Sequence, residues 1–334
     1  MRNFYIKKLG SQELGSPKED GSVSRGRYIY VTKAYDNFFP HLSTTVTNDN
    51  VLIPIIPPFG DEKIYSTFVY HNDKFNVDGG TRDEFRLYLN RNIDPERKYF
   101  RIDDIVVFER IETDTPVPLY FLYKFNTSDP YYNDLSTIIE ASSIKGNHAL
   151  ASEELNFIPQ RQINLAETIV VIPEEVMSMA VTQQEEVLIS EEQDIENIRG
   201  ASLFNSDSFR DFVLHAYGYK CAITGKVINY KSLFNLEAAH IQPKAQAGTF
   251  LPCNGIALCR DMHWAFDKGF ITISDDFKII VHKEMQKSIL MEYADQKIFT
   301  PTDPYFQPEK KFLKHHRENI FGLFLYSGSI RNNQ

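Results

Sequence analysis

At 334 residues the chain is too long for one ordinary domain and about right for two. Hydrophobic (42%) and charged (24%) residues stand in globular proportion, which excludes a disordered, collagen-like or coiled-coil chain, while three cysteines exclude a disulfide scaffold and fit a reducing compartment. The net charge of −9 argues at first against a polyanionic partner.

That charge is unevenly spread. Residues 1–130 hold 17 Lys+Arg and 19 Asp+Glu, a net of −2; residues 131–200 hold 3 and 13, a net of −10; residues 201–334 hold 16 and 13, a net of +3. The acid is concentrated in the middle, and either flank can approach a phosphate backbone. The opening MRNFYIKKLG lacks the apolar core of a secretion signal, and no run approaches the ~20 apolar residues of a membrane span. A cytoplasmic protein with no membrane partner is expected.

Region 1–130 reads as β structure. Apolar and aromatic runs recur at Tyr28–Val31, Val51–Ile56, Ile64–Tyr70, Phe85–Leu89, Ile105–Ile111 and Leu119–Phe125, separated by turn residues such as Pro57-Pro58 and Asp78-Gly79-Gly80. Many short strands with turns between them predict a barrel or sandwich. Tyr35–Phe39, ending before Pro40, predicts a short helix.

Region 131–200 reads as an acidic, partly helical linker, with a helix start at Pro173-Glu174-Glu175 and a strongly acidic run at Glu185–Asn197. Region 201–334 then follows a pattern of helix, hairpin, loop and helix. A helix opens near Ser206 and closes at Gly218; Leu233–Ile241 reads as a strand, Asp261–Asp267 as a helix capped by Gly269, and Phe270–Ile273 as a strand.

The stretches L-E-A-A-H-I-Q-P (236–243) and N-G-I-A-L-C-R-D-M-H-W-A-F-D-K-G (254–269), at their mutual spacing, resemble the HNH nucleases. The resemblance covers about residues 205–325, including the tail P-E-K-K-F-L-K-H-H-R-E-N-I-F. It implies a ββα-metal fold, two strands and a helix around one divalent ion, Mg²⁺ or alternatively Mn²⁺. It also implies that Asn254 orients the loop of the base histidine. The residue types suit phosphodiester hydrolysis in their own right. His240 follows a strand and titrates near neutrality, as a general base must. His263 and Asp267 are four apart on a helix and can share a metal. The expected catalytic residues are therefore His240, Asn254 and His263.

Two positions depart from the family pattern. Many HNH domains carry a further metal ligand just before the base, where this chain has Ala239; Glu237, two residues earlier on the same strand face, is the substitute. Many also carry two C-x-x-C pairs, whereas here Cys221-x-x-Thr224 and Cys259-x-x-Met262 keep one sulfur each. Two thiolates do not close a tetrahedral zinc site, so no structural zinc is expected.

The blocks F-Y-I-K-K-L-G-S (4–11), R-Y-I-Y-V-T-K-A-Y-D-N-F-F-P (27–40) and T-R-D-E-F-R (81–86) resemble the EcoRII N-terminal, B3-like recognition domains over about residues 4–125. That resemblance implies a β-pseudobarrel that grips the DNA major groove, with Arg82, Glu84 and Arg86 on one arm and Arg25 on the other. Arginine pairs with guanine O6 and N7, and glutamate accepts from cytosine N4. The expected class is thus α+β in two domains, a B3-like pseudobarrel followed by a ββα-metal nuclease with flanking helices. The expected activity is site-specific cleavage of double-stranded DNA, as a homodimer because one HNH site cuts one strand, with a possible cognate DNA methyltransferase. The alternatives are a DNA-binding module whose nuclease is inactive, favoured by Ala239, and a defence nuclease of low sequence specificity that senses modified DNA.

Overall fold

Strands of alternating apolar residues build the first of the chain's two units, Met1–Ser178; the second is Met179–Gln334. The computed structural model describes residues 2–15, 27–72, 83–113, 117–162, 168–189, 204–230 and 233–324. Within the first unit these include β1 (Asn3–Lys8), β2 (Tyr28–Val31), β3 (Asn50–Ile56), β4 (Lys63–His71), β5 (Glu84–Tyr88), β6 (Ile105–Ile111), β7 (Leu119–Phe125), β8 (His148–Ala151) and β9 (Val170–Val171). They form one sheet in the order β2-β5-β4-β3-β7-β6-β1-β8, with β9 beside β4. Pairing is antiparallel except for β3 with β7 and β4 with β9.

The sheet curls until its two ends meet. Tyr30, in one end strand, stacks on His148, in the other, with ring centroids 6.4 Å apart. Tyr5 bridges the gap: its hydroxyl donates to Tyr30 O at 3.3 Å and lies 3.1 Å from His148 Nδ1. Period-two alternation sorts the side chains between two faces. Tyr5, Val106, Phe108, Tyr120 and Leu122 fill the inside of the curl. Phe4, Ile6, Ile105 and Val107 point outward, where Tyr132, Leu135 and Ile139 of the helix Tyr132–Ala141 cover them.

This covering divides the segment expected as a linker. The helix Tyr132–Ala141 and β8 both fall within 131–200, yet β8 pairs with β1 from Phe4↔Ala151 to Lys7↔His148 and belongs to the first sheet. A four-residue strand carries too little periodicity to stand out in an acidic stretch. The helix after Pro173 runs over Glu174–Ile189 and takes in the start of the acidic run at Glu185; the rest of that run, from residue 190, lies outside the described residues. Among the described residues no helix is long and apolar enough to cross a membrane.

In the second unit the helix Ser206–Ala216 precedes β10 (Asn229–Tyr230), β11 (Leu233–Phe234), β12 (Leu236–His240) and β13 (Gly255–Cys259). The helix Arg260–Asp267, β14 (Ile271–Ile273), β15 (Ile279–Val281) and the helix Lys310–Asn319 follow. The single strand expected over 233–241 is broken at Asn235, whose Oδ1 accepts from Ile228 N at 2.9 Å. β12 and β13 pair from Leu236↔Cys259 to His240↔Gly255. The helix Ser206–Ala216 lies so close on this hairpin that a Cβ on Gly255 would meet Val213 Cγ2 at 2.3 Å and the Phe209 ring at 2.9 Å. Only glycine fits there.

His316, 1% exposed, ties the last helix to the helix Arg260–Asp267. Its ring stacks on Phe266 at 3.7 Å; Nδ1 lies 2.8 Å from Thr272 Oγ1 and Nε2 lies 3.2 Å from Phe266 O. Burial holds its pKa down, to about 3. The unfolded chain takes up a proton near pH ~6.5 while the native imidazole stays neutral, so this stabilisation is complete above that pH and is lost as pH falls toward the native value. The unfolding temperature is therefore expected to fall steadily between pH 7 and pH 4, as followed by circular dichroism. A midpoint that stays level or rises over that range would contradict this account of His316.

Candidate active site

β12, β13 and the helix Arg260–Asp267 are consecutive, and the helix starts directly where β13 ends at Cys259. The hairpin therefore delivers residues of β12 to the side of the helix. Glu237 accepts a hydrogen bond from Arg260 Nε at 3.2 Å, and its other oxygen lies 2.7 Å from His263 Nδ1. His263 Nε2 lies 3.3 Å from Asp267 Oδ2, the neighbour one turn along. Glu237, His263 and Asp267 thus form one row, with His263 between two carboxylates. Partial burial raises the Asp267 carboxyl above its ordinary range, against the attraction of His263 and Lys268.

His240 ends β12 and occupies a different environment. Its ring stacks on Phe209 at 4.0 Å and meets Phe250 edge-on at 5.6 Å. Burial, reinforced by the positive charge of Lys244, lowers its pKa to about 4, so the ring is neutral at pH 7. Nε2 is enclosed and has no hydrogen-bond partner among the described residues. Among the described residues no hydrogen bond or ion pair joins His240 to the row of Glu237, His263 and Asp267, although the charge of His263 also acts on its pKa.

Asn254 is fully buried and fastens the loop that leaves His240. Its Oδ1 accepts from Gln242 N at 2.9 Å, and its Nδ2 donates to Gln242 O at 3.0 Å and to Thr249 O at 2.9 Å. Its backbone carbonyl accepts from Ile241 N at 2.8 Å. Both amide hydrogens and one lone pair of Oδ1 are thus used inside the loop, so the Asn254 side chain fastens the loop that carries His240. Gln242 and Phe250, which complete this surround, carry no sequence signal that would have singled them out.

The donor types of Glu237, His263 and Asp267, one imidazole and two carboxylates, suit a divalent cation. Among the described residues, however, no three His, Cys, Asp or Glu side chains converge on a metal position, because these three bind one another. Metal binding here requires exchange of the Glu237–His263 hydrogen bond for contacts to the ion. The cysteines are placed otherwise. Cys221 and Cys259 are hydrogen-bonded to each other, which draws Cys221 down to about 5 and pushes Cys259 up. Thr224 N donates to Cys221 Sγ at 3.5 Å. Cys253 is pushed up to about 12 by burial.

Of the expected DNA-reading residues, Arg25 and Arg82 lie outside the described residues. Glu84 and Arg86 share one face of β5 while Phe85 points into the core. Arg86 Nε donates to Glu84 Oε1 at 2.8 Å, and the guanidinium lies 4.1 Å from the centre of the Tyr28 ring. The two charges thus neutralise each other on the sheet surface.

Three solved structures are similar to parts of this chain. A modification-dependent TagI restriction endonuclease is 21% identical over 36% of this chain, which spans 39% of the length of that one, with a TM-score of 0.27. The N-terminal domain of Helicobacter pylori LlaJI.R1 is 17% identical over 45% of this chain and 98% of its own, with a TM-score of 0.29. The B3 domain of the UbaLAI restriction endonuclease, solved with cognate DNA, is 14% identical over 45% and 86%, with a TM-score of 0.29. At these TM-scores none of the three bears on the activity of this chain. No curated protein matches it. The HNH endonuclease family matches residues 221–274, the span that holds β12, β13, the helix Arg260–Asp267 and all five residues His240, Asn254, Glu237, His263 and Asp267. The second unit of this chain therefore carries an HNH endonuclease domain.

Proposed function

We propose that the chain is a restriction-type endonuclease that hydrolyses phosphodiester bonds in double-stranded DNA at a site read by its first unit. One observation carries this reading: within the HNH match, a neutral histidine whose Nε2 is unpaired stands on the same strand as Glu237, the first member of a carboxylate–histidine–carboxylate row. His240 accepts the proton of the attacking water at a ring nitrogen, most simply Nδ1, since Nε2 is enclosed. Phe209 and Phe250 fix the plane of the ring, and Asn254 fixes the loop that carries it. Glu237, His263 and Asp267 would hold a divalent cation, Mg²⁺ or Mn²⁺, which when bound neutralises charge on the phosphate. Arg260 holds Glu237 in place against His263.

For the first unit, the curled sheet supports the B3-like reading, with Glu84 and Arg86 as base-reading residues once DNA replaces their mutual contact. A G·C pair offers both acceptors for the arginine and a donor for the glutamate. Cutting both strands calls for two HNH sites, hence a homodimer. A second reading, a DNA-binding protein with an inactive nuclease, is favoured by the fully buried Ala239 in place of a ligand. Incubation of the full chain with plasmids of varied sequence and methylation, with Mg²⁺ or Mn²⁺, separates the readings. Discrete fragments support the restriction enzyme; intact plasmid with retained duplex binding supports the inactive module.

A further inference from the structure

The last helix, Lys310–Asn319, has a side that the fold does not use. Phe312, Leu313 and His316 are buried, and Arg317 is spent on Ile273 O at 2.8 Å and Asp275 Oδ1 at 2.6 Å. Lys310, Lys311 and Lys314 are exposed. Among the described residues Lys311 lies only over the ring of its neighbour Phe312, at 5.0 Å, and Lys314 has only a loose contact with exposed Glu318, at 3.9 Å. Spacings of three and four residues put Lys310 and Lys311 beside Lys314, where like charges repel unless an anion lies across them.

The position of this helix gives the lysines a use. Lys311 shares a ridge with His315, four residues on. His315 Nε2 lies 2.7 Å from Gln246 Oε1; Gln246 O accepts from Gln242 Nε2 at 2.7 Å; and Gln242 N donates to Asn254 Oδ1 at 2.9 Å. At the start of the helix Glu309 N donates to Cys253 O at 3.0 Å, next to Asn254. The helix is thereby fixed to the loop that carries His240. That loop adds its own cation: Lys244 lies over Phe250, the ring that flanks His240, at 4.2 Å.

We infer that Lys310, Lys311 and Lys314, with Lys244, form the surface by which the nuclease unit holds the DNA phosphate backbone beside the bond to be cut. This rests on the nuclease reading and names the part of the substrate that the second unit grips. Such contacts position the duplex without reading its sequence. Glu309 and Glu318 flank the lysines and limit the grip to the first half of the helix.

The test is the full-length variant Lys310→Gln, Lys311→Gln, Lys314→Gln, compared with the unaltered chain. Glutamine keeps the helix propensity and removes the charge. Duplex binding is measured by fluorescence anisotropy in EDTA over a range of salt, so that cleavage is not required. Each lost phosphate contact reduces the slope of log Kobs against log salt by about 0.9, so a reduction of about 2–3 is expected, alike for every duplex sequence. In cleavage assays KM should rise about tenfold or more with kcat within about twofold, and the corresponding arginine variant should restore both. An unchanged slope and KM in a variant with native circular dichroism overturns the inference while leaving the nuclease reading intact. An unaltered chain that neither binds nor cuts duplex DNA overturns both.

Discussion

His240→Ala is expected to lower the rate of DNA cleavage by about 10³-fold while duplex affinity stays within about twofold. General-base catalysis contributes about 10²–10⁴-fold, and His240 is the residue proposed to supply it. The ring contributes to stability chiefly by stacking on Phe209, so a small loss of thermal stability should accompany the kinetic defect. Single-turnover cleavage below the unfolding temperature separates the two effects. Because burial lowers the His240 pKa to about 4, the group is already deprotonated across the neutral range. The kcat/KM profile should show no break from this residue between pH 6 and pH 8, and should fall only as pH approaches 4. A variant that retains a tenth of the cutting rate would remove His240 as the base.

Asn254→Ala should be the most damaging single truncation in the loop. It leaves Gln242 N–H, Gln242 O and Thr249 O without their partners at a fully buried position. Unmet backbone groups cost about 1–3 kcal/mol each, and partial exposure of Gln242 lowers the sum to about 2–4 kcal/mol. For a unit of this size that corresponds to a fall of roughly 5–15 °C in the unfolding midpoint. Asn254→Asp gives a sharper contrast. A carboxylate can still accept from Gln242 N but cannot donate to the two carbonyls, which it repels instead, so the aspartate should be no better than the alanine. Cleavage should fall in both, because the loop fixes the base. A shift under 2 °C in either variant would show that the loop is held by something other than this amide.

Part of the geometry of the candidate site could be read from the residue types and spacing. His263 and Asp267 share a helix face because four residues make one turn, and Glu237 shares a strand face with Ala239 because strands alternate. The row that these three residues form depends on β12 and the helix lying side by side, which the turn into the helix at Cys259 secures. Other features were invisible for physical reasons. His240 shares no hydrogen bond or ion pair with that row, and its enclosure depends on Phe209 and Phe250, one far away in sequence and the other across a loop without regular period. Trp264 is 57% exposed, because its helix turns that side outward, and residue type alone would not have placed it there. β8 escaped notice because its partner, β1, is about 140 residues earlier and pairing at that distance leaves no local pattern.

The meeting of Tyr30 and His148 across the ends of the curled sheet has a consequence for assembly. A strand at the end of a sheet ordinarily offers its unpaired N–H and C=O groups to any other chain that is extended. Here both end strands are only four residues long, and the aromatic seam sets them against each other. Among the described residues the first unit therefore has no long free margin for strand addition. Any pairing of two copies through it must rely on side chains, and it can be undone by surface substitution without unravelling the sheet.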